Sequence, residues 1–374
     1  FTMYYFDNSA TTPIHPRVSE LMNDINIRIY GNPSSTYKIG KNARSIMENA
    51  RIQIAKAISA EPNQILFTSG GTESNNQVLW SMIQQKRKHI VSSTIEHPAI
   101  TRVLKFLITY GLNHNLADVN EDGIISIDSI NKNLNNDTIL ISLMLANNEI
   151  GTIQPLEQVI SIAHNQNIMV HTDAVQCLGK IKLNVSKLKV DFLSLSAHKF
   201  YGPKGIGVLY ARHPEKLYPL ILGGGQENNL RAGTENVSLI AGMGLAAEIS
   251  TELLNEKNTM VEKIEQQFKS GLKTFFPKAQ FNGCQSKKLP GLVNVSFPGN
   301  KSNILMAKLE RVGIAVSNGS ACGSGDIKPS PVLSSIGLNK ETNLSTLRFS
   351  FGIFNTKEQV DFLLSNLKSI LVCS

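Results

Sequence analysis

Short apolar runs alternate with stretches of helical spacing through the middle of this 374-residue chain. Runs at residues 64–68, 89–93, 114–119, 138–145, 168–171, 190–195 and 206–210 are rich in aliphatic and β-branched residues and end at polar or Gly/Pro positions, which predicts seven strands. Strand and helix taking turns in this way predict an α/β fold, with a mostly parallel sheet covered by helices on both faces. Ahead of it, residues 4–7 read as a short strand, Asn8-Ser9-Ala10-Thr11-Thr12-Pro13 as a turn, and residues 15–29 as a helix that Gly31-Asn32-Pro33 ends. A second helix, 37–59, places Ile39, Ala43, Met47, Ala50 and Ile54 on one face before Glu61-Pro62 closes it, a stripe that core packing explains.

Beyond the sheet the pattern changes. A Gly-rich stretch, 223–235, precedes residues 237–275, which read as one long helix or two abutting ones. A smaller α/β set follows, with strands at 292–297, 314–317 and 346–351 and helices at 301–311 and 356–371. The expected division is a large domain over 16–255 and a small domain made of 1–15 and 256–374. Ligands of such sheets sit beyond the carboxyl ends of the strands, so the polar residues at those ends are the first candidates for chemistry.

A hydrophobic share of 41% with 18% charged residues describes a globular chain and excludes a disordered one. No apolar run approaches the roughly 18–20 residues of a membrane span, and the start lacks a signal peptide's order, so no membrane association is expected. The net charge of +8 is scattered over helix-like segments; its tight clusters, Lys86-Arg87-Lys88 and Lys287-Lys288, have no interleaved aromatics, so direct nucleic-acid binding is not expected. The cysteines, Cys177, Cys284, Cys322 and Cys373, are far apart and form no C-x-x-C pair. Neither a zinc site nor a disulfide framework is indicated, and a reducing, cytoplasmic setting is expected.

The strand at 190–195 runs into Ser196-Ala197-His198-Lys199-Phe200-Tyr201-Gly202-Pro203, which holds a lysine at a strand end. Asp173, in His171-Thr172-Asp173-Ala174-Val175-Gln176, follows the neighbouring apolar run. Pyridoxal phosphate needs a lysine amine, an acid opposite its ring nitrogen and a cradle for its phosphate. The cradle candidate is Thr68-Ser69-Gly70-Gly71-Thr72-Glu73-Ser74, where glycines open a helix N-terminus whose free amides suit a phosphate. His97, in Glu96-His97-Pro98, follows a third strand and suits ring stacking or proton movement, and Asn147-Asn148 ends a fourth with amides suited to a phenolate or carboxylate.

Taken together, Asp7 to Pro13, Gly31 to Ser35, Thr68 to Asn75, Glu96-His97, Asn147 to Gly151, His171 to Gln176, Ser196 to Gly205, Arg231-Ala232-Gly233-Thr234, Gly319-Ser320-Ala321-Cys322 and Leu347-Arg348-Phe349-Ser350 resemble cysteine desulfurases of the NifS/IscS type. Those belong to the class V aminotransferase group of fold-type I pyridoxal phosphate enzymes, and the resemblance covers nearly the whole chain. It implies that Lys199 holds the cofactor as a Schiff base, that Asp173 pairs with the ring nitrogen and that His97 stacks on the ring and moves protons. It further implies that Gln176 and Asn148 bond the ring oxygen or the substrate, and that Gly71, Thr72, Ser196 and His198 hold the phosphate. Thr234 matches a threonine that the partner subunit of a homodimer contributes to the phosphate site.

Arg348 lies in an apolar strand-like run, where a structural salt bridge is one reason for a cation and the family's bidentate clamp on an amino-acid carboxylate is another. Cys322 sits among small polar residues, unlike the inert apolar setting expected of Cys177 and Cys373. The resemblance implies that its thiolate takes sulfur from L-cysteine, releases L-alanine, and passes a persulfide to an acceptor protein such as an iron-sulfur scaffold or a thiolation protein. A selenocysteine lyase or another class V lyase or aminotransferase is the rival within the fold, and a non-catalytic sulfur-carrier scaffold the rival outside it. The chain departs from the family pattern at Tyr37, usually histidine, and at Gly323-Ser324-Gly325. As given it ends at Ser374, short of the tail with which housekeeping members dock a cluster scaffold, which leaves the acceptor open.

Overall fold

The computed structural model describes residues 3–318 and 328–372. Its strands, in chain order, are β1 (Tyr4–Tyr5), β2 (Ile65–Thr68), β3 (His89–Ser93), β4 (Asn113–Ala117), β5 (Thr138–Ser142), β6 (Met169–Asp173), β7 (Phe192–Ser196), β8 (Gly207–Ala211), β9 (Gln280–Phe281), β10 (Leu292–Ser296), β11 (Ile314–Ala315) and β12 (Thr346–Ser350). β2 to β8 form one seven-stranded sheet in the order β2-β8-β7-β6-β5-β3-β4. Each of its strands overlaps one expected from the apolar runs; β2, β3, β6, β7 and β8 are buried along nearly their whole length, whereas β4, at the sheet edge, is buried fully only at Ala117.

β8 pairs antiparallel with both β2 and β7, and all the other pairings in this sheet are parallel. β2, β3, β4, β5, β6 and β7 therefore point the same way and end at one edge of the sheet. That shared edge decides where chemistry can occur. Several strand ends differ from expectation: β4 stops at Ala117, short of 119, and β7 and β8 each run one residue further. β6 runs to Asp173, which lies in register with Ser194 of β7, and β5 stops at Ser142, although Leu143 and Leu145 still donate their amides to His171 O and Asp173 O.

Helices cover both faces of the sheet. Lys38–Ile58 and Val237–Glu252 pack with Pro16–Arg28 on one side, burying Met47, Ala50 and Ile54 with Met243 and Ala247. Ile39, placed on that face by its spacing, stays 39% exposed, because the first turn of its helix overhangs the core. On the other side Gly71–Ser81 and Pro98–Leu107 pack Val78, Leu79, Ile100 and Leu104 against Leu66, Ile90 and Leu209. At roughly 1.5–3 kcal/mol for each fully buried large aliphatic side chain, these clusters dominate the stabilisation of the sheet.

The segment expected as one or two helices is two, Val237–Glu252 and Leu254–Phe275, bent by 74° where Leu253 leaves helical backbone. No single helix among the described residues is long and apolar enough to cross a membrane. The second helix enters another core, built on Phe268, Phe297, Phe349 and Phe351 with Phe6 from the N-terminal segment, over the antiparallel β12-β10-β9 sheet. Phe268 and Phe349 have ring centroids 4.7 Å apart. β1 pairs in parallel with β11, so the chain's start lies beside this second core. From there residues 7–12 cross from the small sheet, where the Asn8 amide donates to Ser350 O of β12 at 3.3 Å, to the edge of the large one, where the Thr12 amide donates to His198 O at 2.8 Å. Sequence patterning missed β9 and the short helices Pro331–Ser335 and Lys340–Leu344, each too brief to show a period.

Candidate active site

Five strand ends and the N-terminal crossing segment meet at the common edge. β7 ends at Ser196 and a single 3-10 turn, Ala197–Lys199, presents the lysine. Its Nζ donates to Ser9 O and Ala10 O, both at 2.7 Å. Neither acceptor is an anion, so the amine has partners and no counter-charge in direct contact. Burial, with the Arg348 guanidinium adding to it, lowers the Lys199 amine to about 8, against the opposing fields of Asp7 and Asp173. Tyr201, just beyond, takes a left-handed φ of 66° and is pinned by Thr12 and by Ile353, whose amide donates to the Tyr201 hydroxyl at 3.0 Å.

Asp173 is buried at the tip of β6. Its Oδ2 accepts from Asn75 Nδ2 at 2.7 Å and its Oδ1 from the Val175 amide at 3.0 Å. His97 is the N-cap of helix Pro98–Leu107, and its Nδ1 accepts the Ala99 amide at 3.1 Å. The neutral ring therefore carries its proton on Nε2. Burial and the Lys199 charge lower the His97 imidazole, with Asp173 pulling the other way, so the three groups lie within electrostatic reach of one another.

The expected cradle is the start of helix Gly71–Ser81, whose N-cap, Gly70, has no side chain to satisfy the first amides. Added at Gly207, a Cβ would come within 2.5 Å of Gly70 Cα, and at Gly71 within 2.5 Å of Val175 Cγ2, so side chains there would close the cradle. Ser196 Oγ lies 3.8 Å from where a Gly70 Cβ would be, which brings the end of β7 against it. Thr72 is exposed at its rim. His198 donates or accepts at Nδ1 with Thr11 Oγ1 at 3.1 Å, and burial together with Lys199 and Lys204 drops its imidazole to about 4, leaving it uncharged near neutral pH.

Gln176 and Arg348 close the other side. Gln176 Nε2 donates to Ser9 O at 2.9 Å, while its Oε1 accepts from Lys180 Nζ at 3.0 Å. Arg348, on β12 and 4% exposed, donates to Asp7 Oδ1 at 2.7 Å and to Asn148 O at 2.9 Å. Its Nε is buried without a hydrogen-bond partner. Thr234 is exposed on its own chain. Cys322 and Cys373 lie outside the described residues; Cys177 is fully buried, and burial pushes its thiol up, while Cys284 is buried with its sulfur accepting the Lys287 amide.

These groups fit pyridoxal phosphate. A depressed lysine amine suits its aldehyde, a doubly hydrogen-bonded carboxylate suits a protonated ring nitrogen, and an uncapped glycine cradle suits its phosphate. Sequence reasoning missed five contributors, Asp7, the Ser9 and Ala10 carbonyls, Asn75 and Lys180. A carbonyl carries no residue signal, and the others act across gaps that only folding closes.

The family model for aminotransferase class-V matches residues 4–363. The cysteine desulfurase IscS of Dictyoglomus turgidum is 42% identical over 98% of this chain and 94% of its own length. Among solved structures, a NifS-like protein superposes with a TM-score of 0.94 at 38% identity, covering 100% of both chains. Another, described as SspA in complex with cysteine, has a TM-score of 0.81 at 32% identity over 94% of this chain and 99% of its own. Agreement along the entire length, with the lysine and the aspartate at the ends of adjacent strands, means that this chain belongs to the class-V aminotransferase family of pyridoxal phosphate enzymes.

Proposed function

We propose that the protein is a homodimeric cysteine desulfurase that takes sulfur from L-cysteine onto Cys322, releases L-alanine, and passes the persulfide to an acceptor protein. Residues 16–255 form the cofactor-binding domain, and residues 1–15 with 256–374 the domain that brings the thiol segment. The observation that carries this reading is the pairing of Arg348 with Ser317, the residue leading toward the Cys322 segment. Arg348 N donates to Ser317 O at 2.6 Å, and Ser317 N to Arg348 O at 3.3 Å. On the far side of that segment Ser330 Oγ donates to Glu149 Oε2 at 2.6 Å, next to Asn148. The residue that offers a carboxylate clamp is therefore paired with one that precedes, in sequence, the segment carrying the thiol. The likeness to relatives described as cysteine desulfurases, and to one whose structure holds cysteine, supports the same substrate.

When bound, the cofactor supplies an electron sink that weakens bonds at the substrate's α and β carbons. Lys199 would hold it through Nζ and is the group that would move the Cα proton; an amine near 8 can do this at physiological pH, where an ordinary lysine stays protonated. His97 stacks on the ring and moves a proton at Nε2, since Nδ1 is committed to the helix amide. Asp173 keeps the ring nitrogen protonated, with Asn75 holding the carboxylate in place. Arg348, held by Asp7 and the Asn148 carbonyl, binds the substrate carboxylate. Gln176, with its oxygen committed to Lys180, can offer only N–H, which suits a ring oxygen. Gly71, Thr72, Ser196 and His198 hold the phosphate, and Thr234 of the partner subunit completes that site. Cys322 as thiolate attacks the substrate sulfur, so that cysteine and one thiol become alanine and one persulfide.

The test is Cys322→Ala in the cofactor-loaded protein. It should keep the bound cofactor's colour and its spectral response to cysteine, while alanine formation falls to background and radiolabelled sulfur no longer reaches the peptide that holds residue 322. Full alanine production by the variant would refute the persulfide route. Retained turnover of selenocysteine alone would mark a selenocysteine lyase.

A further inference from the structure

Glu73 is out of place on the reading above. It sits in the first turn of helix Gly71–Ser81, beside the amides that would meet a phosphate, and its side chain is 8% exposed. An anion there suits an unliganded helix. Once a phosphate dianion shares the same amides, an unpaired carboxylate in a poorly solvated position repels it.

The rest of the structure offsets that charge. Arg231 reaches Glu73 with two nitrogens, Nε to Oε1 at 3.0 Å and Nη2 to Oε2 at 3.4 Å. Glu73 Oε2 also accepts the Ser69 amide at 2.7 Å, so one carboxylate shapes the turn that forms the cradle and is neutralised in the same contact. Burial works to raise the Glu73 carboxyl, but Arg231 and the Ser69 amide hold it below its ordinary range, so it is an anion at neutral pH.

Arg231 is not free to wander. Its loop is tied down by Glu227, whose carboxylate takes Arg51 Nη2 at 2.6 Å and Nη1 at 2.9 Å and the Phe67 amide of β2 at 2.9 Å. Glu227, Asn228 and Asn229 all hold left-handed φ values, 48°, 56° and 66°, a costly backbone that persists only where contacts enforce it. Gln77 adds a bond to Leu230 O at 2.9 Å. The loop is thus anchored to the strand that leads into the cradle.

We infer that Arg231 is a positioning residue for the cofactor's phosphate: it cancels the Glu73 charge, letting Glu73 shape the Ser69–Thr72 turn without repelling the dianion. This rests on the cradle assignment made above. Three residues beyond Arg231 on the same loop lies exposed Thr234, so the element that completes one chain's cradle electrostatically also carries the residue assigned to the partner's.

The experiment measures dissociation constants of apo-protein for pyridoxal phosphate and for pyridoxal, which lacks the phosphate, at one low ionic strength. Wild type must bind pyridoxal phosphate more tightly than pyridoxal; equal binding would sink the cradle assignment itself, independently of Arg231. Given that, Arg231→Gln should weaken pyridoxal phosphate about tenfold or more and leave pyridoxal within about threefold, while Arg231→Lys stays near wild type. Glu73→Gln, which can still accept the Ser69 amide, should bind pyridoxal phosphate at least as well as wild type. The decisive variant is Glu73→Gln with Arg231→Gln, which should recover to within about threefold of wild type, because the charge that needed cancelling is gone. Equal losses for both ligands in Arg231→Gln, or a double variant no tighter than Arg231→Gln, would show a merely structural pair and overturn the inference. Should Arg231→Gln fail to fold, the double variant alone decides: within threefold supports compensation, and a loss of tenfold or more refutes it.

Discussion

The Lys199 amine should act as a nucleophile near neutral pH, and the size of the effect follows from its surroundings. At pH 7 an amine titrating at about 8 is neutral in roughly one molecule in eleven, against roughly one in three thousand for an ordinary lysine, so the reactive form is about 300-fold more abundant. Burial is the largest cause and Arg348 the next, while Asp7 and Asp173 oppose them. Apo-protein mixed with pyridoxal phosphate across a pH series, with the covalent product trapped by borohydride, should therefore show capture with a midpoint near 8. Arg348→Gln removes a cation and should move that midpoint up; Asp7→Asn removes an anion and should move it down. Because the folded value lies below the unfolded one, the unfolded chain binds more protons between about pH 8 and 10.5, and this lysine's contribution to stability grows as pH rises through that window. A wild-type midpoint at 10 or above, or shifts of the same sign in the two variants, would refute the reasoning.

Lys199→Ala should abolish turnover while leaving the fold intact, and peptide mapping of the reduced wild-type protein should put the pyridoxyl group on Lys199, not Lys204. Arg348→Ala should raise KM for cysteine by about 30-fold or more, since loss of a charged hydrogen-bonded partner costs about 2 kcal/mol at the low end; an unchanged KM with less folded protein would instead make the Asp7 contact its whole role. Glu227→Gln leaves Arg51 buried and half paired, and urea unfolding should report a loss of about 3–5 kcal/mol. Arg51→Leu with Glu227→Leu should recover part of it, and a loss no smaller than the single variant's would point to the Phe67 amide as the main contact.

The candidate site was legible wherever chemistry rides on a local signal. Lys199, Asp173, His97 and Asn148 each follow an apolar run, and because the sheet's parallel strands end at one edge, residues far apart in sequence meet there. Arg348 shows the opposite case. A cation in an apolar run raised the alternatives of salt bridge and carboxylate clamp, and only the crossing of residues 7–12 over the sheet edge revealed that Asp7 takes one nitrogen while Nε is left over.

What the sequence determined by itself is the period of each element, and through it the seven strands and the α/β class, since a strand covered on both faces has to be apolar and a surface helix has to show a stripe. It could not determine strand order, the reversal of β8, or the left-handed turn at Glu227 to Asn229, because these depend on contacts between segments more than a hundred residues apart, such as Glu227 with Arg51. Nor could composition show that the amine is held by the Ser9 and Ala10 carbonyls, or that Glu73 meets Arg231. A backbone acceptor has no letter in the sequence, and the energy of an ion pair exists only once burial has removed the water that would otherwise screen it.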